Sequence, residues 1–126
     1  MTKTADSPAE STSRILVVED DAFIALDLQD VLSEAGYQVI GPVATVSEAI
    51  ALLDSHQPDM ALLDYNLGDE TSIPVAHRLE ARGVPFMFLS GQVSSVMLGK
   101  TRTEPKVMSK PFVPDHLVST LGQLIN

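Results

Sequence analysis

Five short apolar runs, separated by segments with helical periodicity, constrain the fold of this chain more than any other sequence feature. The third run is almost wholly apolar and is followed by a carboxylate, Asp64, as expected of a strand buried on both faces of a parallel sheet. In the intervening segments, apolar residues recur at helical spacing. Strands that alternate with helices predict an α/β domain with a doubly wound parallel sheet and right-handed crossovers. The runs are 15–18, 37–43, 59–63, 85–89 and 106–109.

Capping signals define the predicted helices. Asp21 is the expected N-cap of the first helix, and Thr45 with Glu48 forms a capping box before the second. A Gly-Pro pair at 41–42 interrupts the second run, so we expect that strand at or near a sheet edge. The segment 92–105 is poor in helix signals, which predicts a short or irregular fourth helix. The remaining expected helices are 22–35, 45–56, 72–82 and 114–126.

Length and composition exclude several classes of function. The 126 residues, 44% of them apolar, suffice for one domain, which we place at 14–126 after a flexible, polar N-terminal tail at 1–13. The net charge of −9 disfavours binding to nucleic-acid phosphates. The chain has no cysteine, and its three histidines do not have zinc-binding spacing. No apolar run approaches membrane-spanning length, so we expect a cytoplasmic protein that does not contact membranes.

Chemically active side chains follow four of the five runs. Glu19 and Asp20 follow the first, Asp64 the third, Ser90 the fourth and Lys110 the fifth. Because parallel strands present their carboxyl ends to one edge of the sheet, we expect these side chains to converge. Three carboxylates in one place either raise a pKa or hold a cation. Mg²⁺ fits best, since it takes oxygen ligands and leaves positions for water and a phosphoryl group.

The same cluster predicts phosphoryl transfer to a carboxylate. Lys110 adds a positive charge that can pair with Asp64 or with phosphoryl oxygens, and the Ser90 hydroxyl can donate a hydrogen bond to the same group. This chemistry depends on positioning and on charge neutralisation. We therefore predict that Asp64 accepts a phosphoryl group as an aspartyl phosphate.

Four motifs, taken together and in this order, resemble the receiver domain of two-component response regulators. They are Ile-Leu-Val-Val-Glu-Asp-Asp at 15–21, Leu-Leu-Asp-Tyr-Asn-Leu at 62–67, Phe-Leu-Ser-Gly at 88–91 and Ser-Lys-Pro-Phe at 109–112. The resemblance implies a (βα)5 flavodoxin-like fold with strand order 2-1-3-4-5. The third motif and the short segment after it are similar to a subgroup of mostly stand-alone receivers with a Phe-Ala-Thr-Gly-type motif.

The resemblance also implies a role for each residue of the cluster. Asp64 would take the phosphoryl group from a phosphohistidine of a sensor kinase or a phosphotransfer protein. Ser90 would be the switch hydroxyl that binds the phosphoryl group, and Lys110 would pair with that group, with a cis peptide bond before Pro111. The implied Mg²⁺ ligands are Asp20, Asp64 and the main-chain carbonyl of Asn66, with Glu19 contributing through water.

Two positions depart from the receiver pattern. Val107 stands where many receivers carry a switching aromatic residue, so any signal must leave by another route, and we expect an atypical output surface within 92–126. Gly68 replaces a common proline after the phosphoacceptor, which should loosen that loop. Tyr65, beside the site, is either a partner-facing side chain or a partly exposed packing residue.

The resulting prediction is a response regulator receiver with no enzymatic role beyond weak self-phosphorylation and slow autodephosphorylation. Its output would be a phosphorylation-dependent protein contact, a phosphate sink or a relay step, with a possible homodimer through 92–126. A small aspartyl-phosphate phosphatase is less favoured, because Asn66 stands where such enzymes usually place a second acid. A receiver-like binding module that is never phosphorylated and a flavin binder are two further hypotheses. A flavin binder is disfavoured because the chain lacks a phosphate-cradling loop after the first strand.

Overall fold

The computed structural model describes residues 13–91 and 105–125. The described strands are β1 (Arg14–Val18), β2 (Gln38–Val43), β3 (Met60–Asp64), β4 (Asn66–Leu67), β5 (Glu70–Thr71), β6 (Phe86–Ser90) and β7 (Lys106–Ser109). The described helices are α1 (Ala22–Glu34), α2 (Val46–Ser55), α3 (Ile73–Ala81) and α4 (Pro114–Ile125).

The five long strands form one parallel sheet in the order β2-β1-β3-β6-β7. Since β6 and β7 are the fourth and fifth long strands of the chain, this is the expected order 2-1-3-4-5. The expected edge position of the second strand is also confirmed. The predicted short or irregular fourth helix falls largely on 92–104 and lies outside the described residues, as does nearly all of the predicted tail.

Two apolar layers cover the sheet, one on each face. On one face, Leu63 and Phe88 pack with residues of α2 and α3. On the other, Leu62 and Leu89 pack with residues of α1 and α4. Every residue of β3 is buried, because this central strand has neighbours on both sides and helices on both faces. The almost unbroken apolar run at 59–63 follows from that position.

The predicted caps of the first two helices are present. The Asp21 carboxylate accepts hydrogen bonds from the backbone N–H groups of Phe23 and Ile24, at 2.9 and 3.1 Å. The Thr45 hydroxyl accepts from the N–H of Glu48 at 3.1 Å. The Glu48 carboxylate then reaches back to the N–H of Ala44, one residue before the expected partner, also at 3.1 Å.

The segment after Asp64 differs from the expected loosened loop. Residues 66–71 form a two-stranded antiparallel hairpin, β4–β5, in which Leu67 pairs with Glu70. Gly68 lies in the turn with φ +65°, a conformation that glycine adopts without strain. The absence of proline at this position therefore permits a tight turn.

Candidate functional site

The predicted side chains lie together at the carboxyl edge of the sheet. Strand register places Val18 beside Leu63 and Asp64 beside Leu89, so that the ends of β1, β3 and β6 are level. Glu19, Asp20 and Asp64 each place one carboxylate oxygen within 4.8 Å of the others. Convergence of three carboxylates at this edge agrees with the sequence-based expectation.

The three acids differ in exposure to solvent. Glu19 and Asp64 retain only 3% and 5% of their accessible surface, whereas Asp20 is exposed. Glu19 is held by its backbone, since its N–H donates to the carbonyl of Val43 at 2.8 Å. The three acids, here called the acidic pocket, therefore comprise two buried carboxylates and one exposed carboxylate.

Lys110 links the two buried carboxylates. Its Nζ lies 2.9 Å from Oε1 of Glu19 and 3.0 Å from Oδ2 of Asp64. The Lys110 backbone N–H donates to the carbonyl of Ser90 at 2.9 Å, which fixes the start of the β7–α4 connection to the end of β6. The Lys110-Pro111 peptide bond is cis, as expected.

Burial raises the pKa of Asp64 to about 7, assisted by its hydrogen bond and charge repulsion with Glu19 and opposed by Lys110. For Lys110, burial alone would lower the pKa, but the contacts with Glu19 and Asp64 outweigh it and raise the pKa above its ordinary value. Lys110 is therefore charged at neutral pH, while Asp64 binds a proton far more readily than an ordinary aspartate before any cation is bound.

Ser90 and Asn66 lie in the chain at the carboxyl ends of β6 and β3. Ser90 is fully buried at the end of β6 and pairs in register with Ser109 of β7. Asn66 is exposed and begins β4, two residues after Asp64. Both therefore stand at the carboxyl edge with the acids.

The donor set fits a hard divalent cation. Its ligand atoms are all carboxylate oxygens. The three acids are paired with one lysine, and a divalent ion would neutralise the remaining negative charge. A cation beside Asp64 would also favour the ionised form that burial disfavours. The set is too poor in nitrogen and sulfur for the usual zinc chemistry.

One contact near the site was not predicted from the sequence. The carboxylate of Glu70, in β5, accepts a hydrogen bond from the backbone N–H of Val46, the first residue of α2, at 3.1 Å. This bond joins residues 24 positions apart, and local capping patterns do not predict such long-range partners.

Two more side chains near the site are packed more fully than the sequence indicated. Tyr65 is buried at 4% exposure and contacts Phe88 edge-to-face, with ring centroids 5.4 Å apart, so it is a packing residue, as one of the two expectations had it, but without the expected partial exposure. Val107 is partly buried, lies beside Phe88 in the sheet and packs against the same apolar layer.

Three large apolar side chains are exposed on α1 and on the connection that follows Lys110. Within the described residues, Phe23 and Leu26 of α1 and Val113 of the β7–α4 connection are the large apolar side chains left exposed, at 83%, 58% and 61%. A groove of about 400 Å³ runs between these elements, with Lys110 and Phe112 in its lining.

The three histidines are all exposed and lie outside the acidic pocket. Across the described ranges, no helix has the length and apolar character needed to span a membrane.

Comparison with known proteins gives a consistent assignment. Residues 15–122 match a family described as the response regulator receiver domain. The phyllosphere-induced regulator PhyR of Methylorubrum extorquens is 31% identical over 121 residues, covering 93% of this chain and 45% of PhyR. The chain spans about half the length of the curated relatives it matches.

Two solved structures share the fold over nearly their whole length. SdrG from Sphingomonas melonis Fr1 is 39% identical, with a TM-score of 0.77 and coverage of 92% of this chain and 98% of SdrG. The PhyR receiver domain of Erythrobacter litoralis has a TM-score of 0.82 at 25% identity, covering 93% of this chain and 92% of that domain. Each match therefore covers nearly the whole of this chain.

Proposed function

The chain belongs to the response regulator receiver domain family, and from that premise we propose that Asp64 is its phosphoacceptor. One observation carries the proposal. Asp64 ends the central strand and lies buried between two acids and a lysine, whose Nζ is 3.0 Å from it. A single carboxylate thus has a counter-charge on one side and a potential cation site on the other.

Mg²⁺ is the proposed cofactor, held by Asp20, Asp64 and the main-chain carbonyl of Asn66, with Glu19 contributing through water. When bound, it neutralises phosphoryl oxygens and the charge of the acids. Asp64 is then the nucleophile: a bond forms from its carboxylate oxygen to phosphorus as the N–P bond of a phosphohistidine breaks, and the imidazole leaves. Lys110 and the Ser90 hydroxyl bind the oxygens of the transferred group.

The donor is proposed to be a sensor histidine kinase or a phosphotransfer protein. Its phosphohistidine must reach a buried carboxylate, so its surface must cover the pocket mouth. Phe23 and Leu26 of α1 and Val113 of the β7–α4 connection are exposed apolar side chains that such a surface could contact. We expect this exchange in the cytoplasm, without contact to nucleic acid or membrane.

The output is proposed to be a phosphorylation-dependent protein contact, a phosphate sink or a relay step, with homodimerisation through 92–126 as one possible form. Val107 packs against Phe88 and offers no aromatic ring for a rotation-based switch. Slow hydrolysis, in which water attacks phosphorus and releases phosphate from Asp64, would reset the protein.

Two competing functions fit the site less well. A phosphatase needs a general acid close to its nucleophile, and the residue two positions after Asp64 is Asn66, which cannot titrate. A binding module that is never phosphorylated has no need for a lysine placed between two buried carboxylates.

Intact mass after incubation with acetyl phosphate, with and without Mg²⁺, tests the proposal. We expect one added phosphoryl group that requires Mg²⁺ and is absent in Asp64→Asn. Asp69→Asn, which changes an exposed carboxylate of the hairpin turn, should be labelled like the unmodified protein. Labelling that persists in Asp64→Asn would reject Asp64 as the acceptor.

A further inference from the structure

The hairpin β4–β5 is anchored from two directions. Leu67, in β4, has its side chain buried in the apolar layer shared with α2 and α3. Glu70, directly opposite it in β5, accepts the hydrogen bond from the N–H of Val46. Because directly opposed residues of an antiparallel pair share a face, both anchors act on the same side of the hairpin.

The hairpin depends on such anchors. Each strand has two residues, and a hairpin of this size has little stability of its own in water. Its two ends are fixed by the chain itself, since the N–H of Ser72 donates to the carbonyl of Tyr65 at 2.9 Å. The turn end is restrained by Leu67 and Glu70, and only Glu70 does so through a directional bond.

The first turn of α2 does not need Glu70 as its cap. Thr45 already accepts from the N–H of Glu48, and Glu48 reaches back to Ala44. The N–H of Val46 is the first backbone donor of the helix and would otherwise face solvent. A carboxylate here is also favoured by the helix dipole. The main effect of the contact is therefore to join the hairpin to α2, since the helix start is already capped by Thr45 and Glu48.

That link reaches the proposed cation site. Asn66, whose main-chain carbonyl is the proposed third ligand, pairs with Thr71, the neighbour of Glu70. The end of β2, three residues before α2, is also tied to the pocket, since the carbonyl of Val43 accepts from the N–H of Glu19. The hairpin and the start of α2 thus flank the pocket and are joined to each other by Glu70.

We propose that Glu70 is a positioning residue: its bond to Val46 holds the hairpin against α2 and so fixes the main-chain carbonyl of Asn66 for Mg²⁺. The inference rests on the proposed Mg²⁺-dependent function. It does not make Glu70 a ligand, because its carboxylate is engaged by α2.

Mg²⁺ affinity, measured by calorimetry on the full chain, tests this role. Glu70→Ala should weaken binding by roughly threefold to tenfold. This is less than the roughly tenfold to hundredfold typical of residues that orient metal ligands, because the bond is exposed. Glu70→Gln keeps an acceptor for the N–H of Val46 but removes the charge, and it should bind nearly as the unmodified protein does. Asp69→Asn, a charge loss in the same turn, is the matched control.

The donor side supplies a second variant. Val46→Pro removes the N–H while leaving every charge in place, at a first helical position where proline is well tolerated. Thr45, at φ −131° and ψ 159°, already has the conformation that a following proline requires. Val46→Pro should weaken Mg²⁺ binding as Glu70→Ala does, and the two changes together should not add.

Each outcome decides the inference. Weakening in Glu70→Ala and Val46→Pro, with Glu70→Gln and Asp69→Asn unaffected, supports a positioning role. Equal weakening in Glu70→Gln and Glu70→Ala would leave only a charge effect and overturn it, as would unchanged affinity in Val46→Pro. Absence of Mg²⁺ binding in the unmodified protein would instead overturn the proposed function.

Hydrogen exchange gives a readout independent of affinity. Mg²⁺ should slow hydrogen exchange of the Val46 amide. If the hydrogen bond between Glu70 and Val46 favours Mg²⁺ binding, then by linkage Mg²⁺ binding must stabilise that hydrogen bond. In Glu70→Ala this protection should be lost, while protection of the β3 amides remains. Equal Mg²⁺-dependent protection of Val46 with and without the Glu70 carboxylate would contradict the coupling.

Discussion

At the scale of single residues, Lys110 sets the electrostatics of the pocket. It is the basic group in contact with both buried carboxylates, so it opposes the rise in the pKa of Asp64 that burial causes. The sequence placed Lys110, Glu19 and Asp64 at one edge, since each follows an apolar run. It did not show that Lys110 would contact two acids at once, because side-chain pairing depends on lateral strand positions that periodicity does not encode.

Lys110→Met is therefore expected to destabilise the protein at pH 8 without divalent cations. Two buried carboxylates would lose their counter-charge, and the free energy of unfolding should fall by about 2 kcal/mol, less than for a fully buried pair because Lys110 is partly exposed. Urea denaturation measures this change. Lys106→Met, which removes an exposed lysine from β7, is the control, and an equal loss there would refute the pairing argument.

The raised pKa of Asp64 predicts a pH dependence of stability. The folded state holds a proton on Asp64 up to about pH 7, whereas the unfolded state releases it near its ordinary value of about 3.9. Between these values the folded state binds more protons, so the free energy of unfolding contributed by this group falls as pH rises.

Asp64→Asn should remove that contribution. In the absence of divalent cations, we expect this variant to be more stable than the unmodified protein at pH 8 by roughly 2 to 4 kcal/mol, since each unit of the pKa shift is worth about 1.4 kcal/mol, with the difference vanishing below about pH 4. Thermal unfolding across pH 4 to 8 tests this. A variant with an unchanged pH profile would show that Asp64 is ionised in the folded protein at lower pH.

At the scale of elements, the helix caps and long strands follow from sequence, whereas the hairpin β4–β5 does not. Caps depend on residues two to four positions apart, so the sequence predicted Asp21 and the Thr45-Glu48 pair. Two-residue strands are too short for an alternating pattern. The sequence predicted only a loosened loop at Gly68, and the anchor formed by Glu70 lies 24 positions from its partner.

Gly68→Ala should destabilise the hairpin β4–β5. At φ +65°, alanine is strained by about 1 kcal/mol even though nothing lies within 4 Å of an added methyl group. Gly68→Asn should cost less, because asparagine tolerates this conformation.

Gly36→Ala is the control, because it carries a similar backbone strain at the end of α1. Both alanine variants should lower the free energy of unfolding, but Gly68→Ala alone should also weaken Mg²⁺ binding, and equal Mg²⁺ affinities would argue against the hairpin's role.

At the scale of the whole molecule, alternating apolar runs and helical segments establish a parallel sheet but not its strand order. The order 2-1-3-4-5 came from the resemblance to receivers, because apolar periodicity identifies strands but does not show which strands are neighbours. Once that order exists, β1, β3 and β6 end side by side and the acids must meet. The fold therefore concentrates negative charge in a chain that already carries a net charge of −9.

This arrangement predicts that Mg²⁺ stabilises the molecule beyond simple charge screening. A ligand that binds only the folded state at ten times its Kd adds about 1.4 kcal/mol, which corresponds to several degrees in the melting temperature of a domain of this size. Na⁺ at matched ionic strength screens the net charge without filling the site and should give a smaller shift. Glu19→Gln and Asp64→Asn should each reduce the Mg²⁺ shift towards the Na⁺ value, whereas Asp69→Asn should retain it. If Na⁺ reproduces the full shift in melting temperature, the acidic pocket does not bind Mg²⁺ specifically. The stabilisation would then come from screening of the net charge, and the unfavourable burial of Asp64 would not be offset by a bound cation.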